Sequence, residues 1–140
     1  MAIRQLSVFL ENKKGTLHEI SDVLASAGVD LRSMCIADTS DYGIVRIIAN
    51  DPDKAKDVLG KAGHISNIRE VTAFAVPDTP GGLAKVLSIL EQNNVDIEYM
   101  YALVTRIAGK AYAVMRTNDD EKTEKILTDN SIELLNEEDI

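Results

Sequence analysis

The stretch Gly28-Val29-Asp30-Leu31 recurs as Asn94-Val95-Asp96-Ile97, 66 residues further along the chain. In the same register, Gly15-Thr16-Leu17 falls on Gly81-Gly82-Leu83. These matches lie at turn glycines and at apolar positions, which are the places where a repeated fold constrains its sequence. The 140-residue chain is therefore predicted to contain two copies of one unit, residues 1–70 and residues 71–140.

The composition excludes several classes of protein. The chain carries 15 Lys and Arg against 23 Asp and Glu, a formal net charge of -8, which argues against binding to nucleic acid or to an anionic membrane surface. Its apolar runs are too short to span a bilayer, and its start lacks the basic and apolar regions of a signal peptide. We therefore expect a cytoplasmic protein, and its single cysteine excludes an internal disulfide.

Each copy has the same predicted order of elements. Leu6, Val8 and Leu10 alternate with more polar residues, as in a half-buried strand, and a helical apolar stripe with Leu17 and Leu24 follows. The predicted second strands are residues 29–37 and 95–104, the third strands 44–48 and 111–115, and the fourth strands about 65–71 and 132–135.

The resulting order, βαββαβ twice, predicts an α+β protein of two ferredoxin-like units in tandem. Each unit would be an antiparallel four-stranded sheet with its helices on one face. The exposed second strand is an edge that invites pairing with another unit or chain. Where the copies join, the sequence permits either a tight turn or a strand shared by both.

Residues suited to helix ends recur as well. Gly28 and Asn94 are predicted to end the first helix of each copy, because both residue types adopt the left-handed conformation found there. The predicted N-terminal caps are Thr16 with Glu19 as a capping box, Thr79 before Pro80, Asp51 before Pro52, and Asn118.

No catalytic, metal or cofactor motif stands out. The chain has neither a phosphate-binding glycine loop followed by lysine nor a paired-cysteine motif. His18 and His64 lie in different elements and do not repeat, so we expect both on the surface. Cys35 lies in a predicted strand, where we expect it to pack rather than to react.

The feature that repeats is the junction between first strand and first helix. Gly15 and Gly81 allow a sharp turn, and a helix N-terminus beside them offers free N–H donors to an anion such as a carboxylate. Asp30 and Asp96 open the second strands and could hold an ammonium group. A free α-amino acid would satisfy both. The alternative is purely structural, with glycine for the turn and aspartate as a polar residue at a strand start.

At these residues the chain resembles the ACT domain family. The resemblance is carried by Thr79-Pro80-Gly81-Gly82-Leu83 with Asn94-Val95-Asp96-Ile97, and by Gly15-Thr16-Leu17 with Gly28-Val29-Asp30-Leu31. It covers essentially the whole chain as a tandem pair. The first copy is also similar to the regulatory region of aspartokinases, although it has Lys14 where the second has Pro80.

The resemblance implies a regulatory protein that binds an amino acid between the first loop of one unit and the second strand of its neighbour. It implies a homodimer paired through sheet edges and a regulated enzyme or transport system in trans. The implied ligand-binding residues are Asn12, Gly15, Thr16, Leu17, Asp78, Gly81, Gly82 and Leu83 in the loops, Asp30 and Asp96, and the strand residues Ser33, Met34, Cys35, Tyr99, Met100 and Tyr101.

Two other functions stay open at this point. One is a small ferredoxin-like enzyme, which would need a base or nucleophile at the loop, where Asn12, Lys13 and Lys14 are the candidates. The other is an interaction module that binds no small molecule.

Overall fold

The computed structural model describes residues 2–11, 13–38, 42–104 and 108–140. Within these ranges the chain forms seven strands and four α-helices. They divide into two compact units, Arg4–Glu70 and Val71–Ile140, and the second unit also contains Ala2 and Ile3. The α+β class and the tandem ferredoxin-like order predicted from the sequence are confirmed.

The first unit follows the βαββαβ order. Its elements are β1 (Ile3–Glu11), α1 (Thr16–Ser26), β2 (Leu31–Asp38), β3 (Tyr42–Ala49), α2 (Pro52–Lys61) and the first part of β4 (Ser66–Pro77). The strand order is β2-β3-β1-β4, with β3 antiparallel to both β1 and β2. β2 is therefore an edge strand of this unit.

The second unit repeats that topology. Its elements are the remainder of β4, α3 (Gly82–Gln92), β5 (Ile97–Leu103), β6 (Lys110–Thr117), α4 (Asp120–Asp129) and β7 (Glu133–Leu135), followed by the short 3₁₀ helix Glu137–Asp139. The strand order is β5-β6-β4-β7, and every pairing is antiparallel. Here β5 is the edge strand that corresponds to β2.

The strand β4 answers the question that the sequence left open. It is one continuous strand of 12 residues. Its residues up to Glu70 belong to the first unit and those from Val71 onwards to the second. The junction is therefore a shared strand and not a tight turn.

Each core lies between one sheet face and two helices. In the first unit Leu6 and Val8 point to the same face and pack with Ile20 and Leu24 of α1 and Leu59 of α2. The second core is built in the same way from Phe74, Val76, Val86, Leu90, Val95, Met115 and Leu127. Leu83, which we expected in this core, is 39% exposed, because it lies in the first turn of α3, beyond the covered stripe.

Two of the helix ends confirm the prediction and three helix starts do not. Gly28 (φ 72°) and Asn94 (φ 54°) have the left-handed conformation expected after α1 and α3. However, α1 and α3 have Gly15 and Gly81 as N-caps, with no capping side chain, so the predicted caps at Thr16 and Thr79 are wrong. The cap of α4 is Asp119 rather than Asn118, whereas Asp51 caps α2 as expected.

The repeat changes register partway through the unit. Leu6 pairs with Ile47, whereas Thr72, at a spacing of 66, pairs with Met115, at a spacing of 68. The alignment of Gly43 with Gly109 at a spacing of 66 is therefore wrong. Gly43 lies inside β3 opposite Leu10, whereas Gly109 lies before β6 with φ 82°. Two additional residues precede β6 compared with β3.

Within the described ranges, no helix combines the length and the apolar character that a membrane crossing requires.

Candidate functional site

The loop between first strand and first helix is shaped by a left-handed glycine in both units. Gly15 has φ 90° and Gly81 has φ 87°. A Cβ atom at either position would meet nothing within 4 Å. Glycine is thus required by the backbone angle, which L-residues rarely adopt, and not by a close neighbour.

The helices that begin at these glycines differ from the other two. The side chains of Asp51 and Asp119 accept hydrogen bonds from the amides of Lys54 and Lys122, both at 3.0 Å, and so cap α2 and α4. No side chain caps α1 or α3. The first-turn amides of α1 and α3 therefore keep donors available, at the end where the helix dipole favours an anion.

A cavity adjoins the start of α1, and we name it the first loop cavity. It has a volume of about 660 Å³. Its walls are the end of β1, the loop, the first turn of α1 and the turn between α2 and β4. The lining residues used below are Glu11, Lys13, Thr16, Glu19, His64 and Ile65.

The second unit has a cavity of about 630 Å³ in the corresponding place, and we name it the second loop cavity. The end of β4, the loop and first turn of α3, and the turn between α4 and β7 form its walls. The lining residues used below are Gly81, Gly82, Lys85, Lys110, Ser131 and Glu133. A cavity in the same place in both units indicates a property of the fold rather than an accident of packing.

The first loop cavity contains two pairs of charged or chargeable groups. Lys13 Nζ lies 2.9 Å from Glu11 Oε2, and this hydrogen bond raises the pKa of Lys13 above its usual value. His64 Nε2 lies 3.5 Å from Glu19 Oε1, and its side chain is only 13% exposed. The prediction that His64 is a surface residue is wrong, because the turn after α2 folds it against α1. His18 is exposed, as expected.

The second loop cavity has one ion pair. Lys110 Nζ lies 2.6 Å from Glu133 Oε2, and the hydrogen bond between them raises the pKa of Lys110. Lys85, in the first turn of α3, also lines this cavity, and it has no ion-pair partner among the described residues. Lys85 occupies the helix position that Glu19 occupies in the first unit, since both lie three residues after the first residue of their helix.

Gly82 has a structural role that sequence reasoning missed. A Cβ atom there would overlap the backbone carbonyl oxygen of Pro77. The loop of the second unit therefore packs directly on the end of β4 and admits only glycine. Thr16 occupies the corresponding position in the first unit and lines the first loop cavity.

The two aspartates lie at the other end of their units. The amides of Asp30 and Asp96 donate to the side-chain oxygens of Asn50 and Asn118, at 2.9 and 3.0 Å. In return the Asn50 and Asn118 amides donate to the backbone oxygens of Asp30 and Asp96, at 3.1 and 3.0 Å. The repeated dipeptide Asn-Asp at 50–51 and 118–119 was the signal for these clasps, and the spacing of 68 concealed it.

The distance between aspartate and loop follows from β3. Tyr42, at one end of β3, pairs with Glu11 beside the loop, and Ala49, at the other end, pairs with Leu31 beside Asp30. At about 3.3 Å per residue the two ends are roughly 20 Å apart. Loop and aspartate of one unit cannot contact the same amino acid.

The surroundings of the two aspartates also differ. Asp30 Oδ2 lies 3.0 Å from Arg32 Nη1 and is therefore partly neutralised. Asp96 borders a cleft of about 520 Å³ together with Glu91. No described residue forms an ion pair with Asp96, so the cleft is negatively charged.

The strand residues implied by the resemblance lie on the edge strands, outside the two loop cavities. Met34 on β2 is 42% exposed and Ser33 is buried. On β5 the rings of Tyr99 and Tyr101 are stacked with centroids 6.4 Å apart. Cys35 and Met100 are partly buried.

The remaining loop residues have varied surroundings. Leu17 packs against the first core, and Leu83 is partly exposed, as described above. Asp78 is exposed and donates its amide to the Gly109 carbonyl oxygen at 2.9 Å. Asn12 lies outside the described residues.

Solved structures provide the comparison with known proteins, since no curated protein matches the chain. Protein BT0572 from Bacteroides thetaiotaomicron is similar with 41% identity and a TM-score of 0.90, over 96% of this chain and 92% of that one. The ligand-free regulatory subunit of aspartate kinase from Thermus thermophilus is similar with 11% identity and a TM-score of 0.64, over 90% of each chain. An aspartate kinase from Clostridium acetobutylicum has 16% identity and a TM-score of 0.53, over 91% of this chain and 33% of that one.

At 11% and 16% identity the two aspartate kinase structures share the fold alone. A family described as an ACT domain pair matches residues 1–140. The match spans both units and agrees with the repeated topology, the paired loop cavities and the left-handed glycines. The chain therefore belongs to the family of ACT domain pairs.

Proposed function

We propose that this protein is a regulatory protein that binds a free amino acid and acts on a separate enzyme or transport system. The observation that carries the proposal is the repeated loop cavity, where a helix begins without a capping side chain. A carboxylate there would accept hydrogen bonds from first-turn amides and would lie at the positive end of the helix dipole.

The ammonium group of the ligand needs a separate partner. Asp30 and Asp96 have the right chemistry, but each lies roughly 20 Å from the loop of its own unit at strand spacing. A neighbouring chain removes this difficulty. If β2 pairs antiparallel with β2 of a second copy, the start of one strand lies beside the end of the other, and Asp30 approaches the loop of that copy.

The edge strand β2 supports such pairing. Met34 and Ile36 are 42% and 47% exposed, which is unusual for apolar residues on a strand whose backbone groups are open on one side. Pairing of β2 with a second copy would cover both. We therefore propose a homodimer joined through a sheet edge, with the amino acid bound where two units meet.

Thermal unfolding in the presence of each of the twenty amino acids tests the proposal. A ligand that binds only the folded state stabilises it by about 2.7 kcal/mol at a hundredfold excess over Kd. At roughly 2–5 °C per kcal/mol for a chain of this size, the melting temperature should rise by several degrees. Nucleotides serve as the negative control, because the chain has no phosphate-binding glycine loop.

The same experiment separates the alternatives. An interaction module would show no response to any amino acid at millimolar concentration. A small enzyme would consume its ligand, so the added amino acid would change chemically during incubation, and mass spectrometry would detect the product. Recovery of an unchanged amino acid that raises the melting temperature would exclude both.

A further inference from the structure

The two loop cavities have the same place in the fold but carry opposite uncompensated charge. In the second loop cavity, Lys110 and Glu133 neutralise each other, which leaves the ammonium group of Lys85. In the first loop cavity, Lys13 and Glu11 neutralise each other, which leaves the carboxylate of Glu19 beside His64.

The two uncompensated charges occupy the same helix position. Glu19 and Lys85 both lie in the first helical turn, where they face the amides that would receive a ligand carboxylate. A glutamate at this position already interacts with the helix dipole and repels a second carboxylate, whereas a lysine attracts one. The difference therefore acts on the group that the proposed function requires.

We propose that the second loop cavity is the carboxylate site of this protein, with one carboxylate-bearing ligand per chain held near Lys85. The first loop cavity accepts no carboxylate and, if occupied, takes a neutral or cationic group beside Glu19. This inference rests on the proposed function and adds the ligand class of each cavity. Acidic and neutral amino acids or simple dicarboxylates are its ligands, and basic amino acids bind weakly.

The non-polar parts of the cavities agree with this assignment. The loop of the second unit contains Gly81 and Gly82 in succession, and both line the cavity, so backbone amides there are not covered by side chains. In the first unit Thr16 and Lys13 occupy the corresponding wall. The second loop cavity thus exposes more backbone donor surface to a small anion.

An NMR titration with succinate, L-aspartate and L-lysine tests the inference. At about pH 8, where an ordinary histidine is neutral, succinate and L-aspartate should shift the amide signals of Gly81 and Gly82. The signals of Gly15 and Gly63 in the first unit should not move. L-Lysine should produce smaller shifts at the same concentration.

Charge variants identify the cause. Lys85→Glu should weaken succinate binding by about tenfold, the scale of one charge-assisted contact at a partly exposed site. Lys122→Glu changes the charge by the same amount on α4, outside the cavity, and should leave binding within about twofold. The reciprocal variant Glu19→Lys should create a response at Gly15 and Gly63, which a purely structural role of this position does not predict.

Each outcome decides between the two proposals. Binding of a carboxylate at the first loop cavity, or equal effects of Lys85→Glu and Lys122→Glu, overturns this inference while leaving an amino acid sensor intact. Succinate binding at the second cavity without a response to any amino acid supports the charge assignment and contradicts the proposed function. Failure of all carboxylates at both cavities overturns both.

Discussion

The contact between Gly82 and Pro77 leads to a sharp prediction about stability. Gly82→Ala adds one methyl group at the first residue of α3, directly against the backbone carbonyl oxygen of Pro77. Pro77 is held in β4 by its register with Lys110 of β6. Backbone on both sides must therefore shift, and no flexible side chain is available to absorb the overlap.

The magnitude is a balance between two effects. Overpacking a fixed site costs about 1–3 kcal/mol, whereas replacing glycine by alanine in a helix recovers about 0.5–1 kcal/mol. We expect a net loss of about 1–2 kcal/mol in the free energy of unfolding. Gly60→Ala in α2 is the matched control, because a Cβ atom there meets nothing within 4 Å. It should be neutral or stabilise by up to about 0.5–1 kcal/mol.

Thermal unfolding followed by circular dichroism measures both changes. At roughly 2–5 °C per kcal/mol, Gly82→Ala should lower the melting temperature by several degrees, and Gly60→Ala should not lower it. Thr16→Ala, at the position of the first unit that corresponds to Gly82, should stay close to the parent protein. A Gly82→Ala protein as stable as the parent would show that the Pro77 contact does not constrain the loop, and our structural account of Gly82 would be wrong.

Three further predictions concern the aspartates, the caps and the edge. Asp96→Asn should weaken amino acid binding by roughly tenfold or more in calorimetry, the scale of a charge-assisted hydrogen bond, whereas Asp30→Asn should have a smaller effect because Arg32 already neutralises that carboxylate; equal, unchanged affinities would mean that both aspartates are structural. Asp51→Ala should destabilise the protein by about 0.5–2 kcal/mol through loss of the α2 cap, and chemical denaturation would contradict this if the midpoint did not fall. Met34→Lys should shift a dimer towards monomer in analytical ultracentrifugation, and an unchanged mass would exclude the β2 edge as the dimer interface.

The fold was predictable because it depends on patterns that occur twice. Strand alternation, as at Leu6 and Val8, and helical spacing, as at Ile20 and Leu24, depend on burial on one face, and burial is what the structure confirms. Agreement between two independent copies strengthened each assignment. Element order followed from these local signals without any knowledge of contacts.

The site was less predictable because it depends on turns and on charge. A capping box at Thr16 is a reasonable local pattern, but the helix begins at Gly15, whose positive φ cannot be read from composition. The buried position of His64 depends on how the turn after α2 packs against α1. The separation of Asp30 from its own loop follows from strand direction, which the sequence implied once the topology was accepted.

The asparagine clasps bear on how this chain arose. Asn50 and Asn118 make the same pair of hydrogen bonds at the same hairpin, although the interval between them is two residues longer than that between the first helices. A gene duplication followed by a two-residue length change before β6 accounts for both facts. The scaffold of each daughter copy was retained through that event, whereas Glu19 and Lys85 diverged to opposite charge. Selection on the two copies has thus separated architecture from specificity, and a tandem gene of this kind can acquire a second ligand without rebuilding its fold.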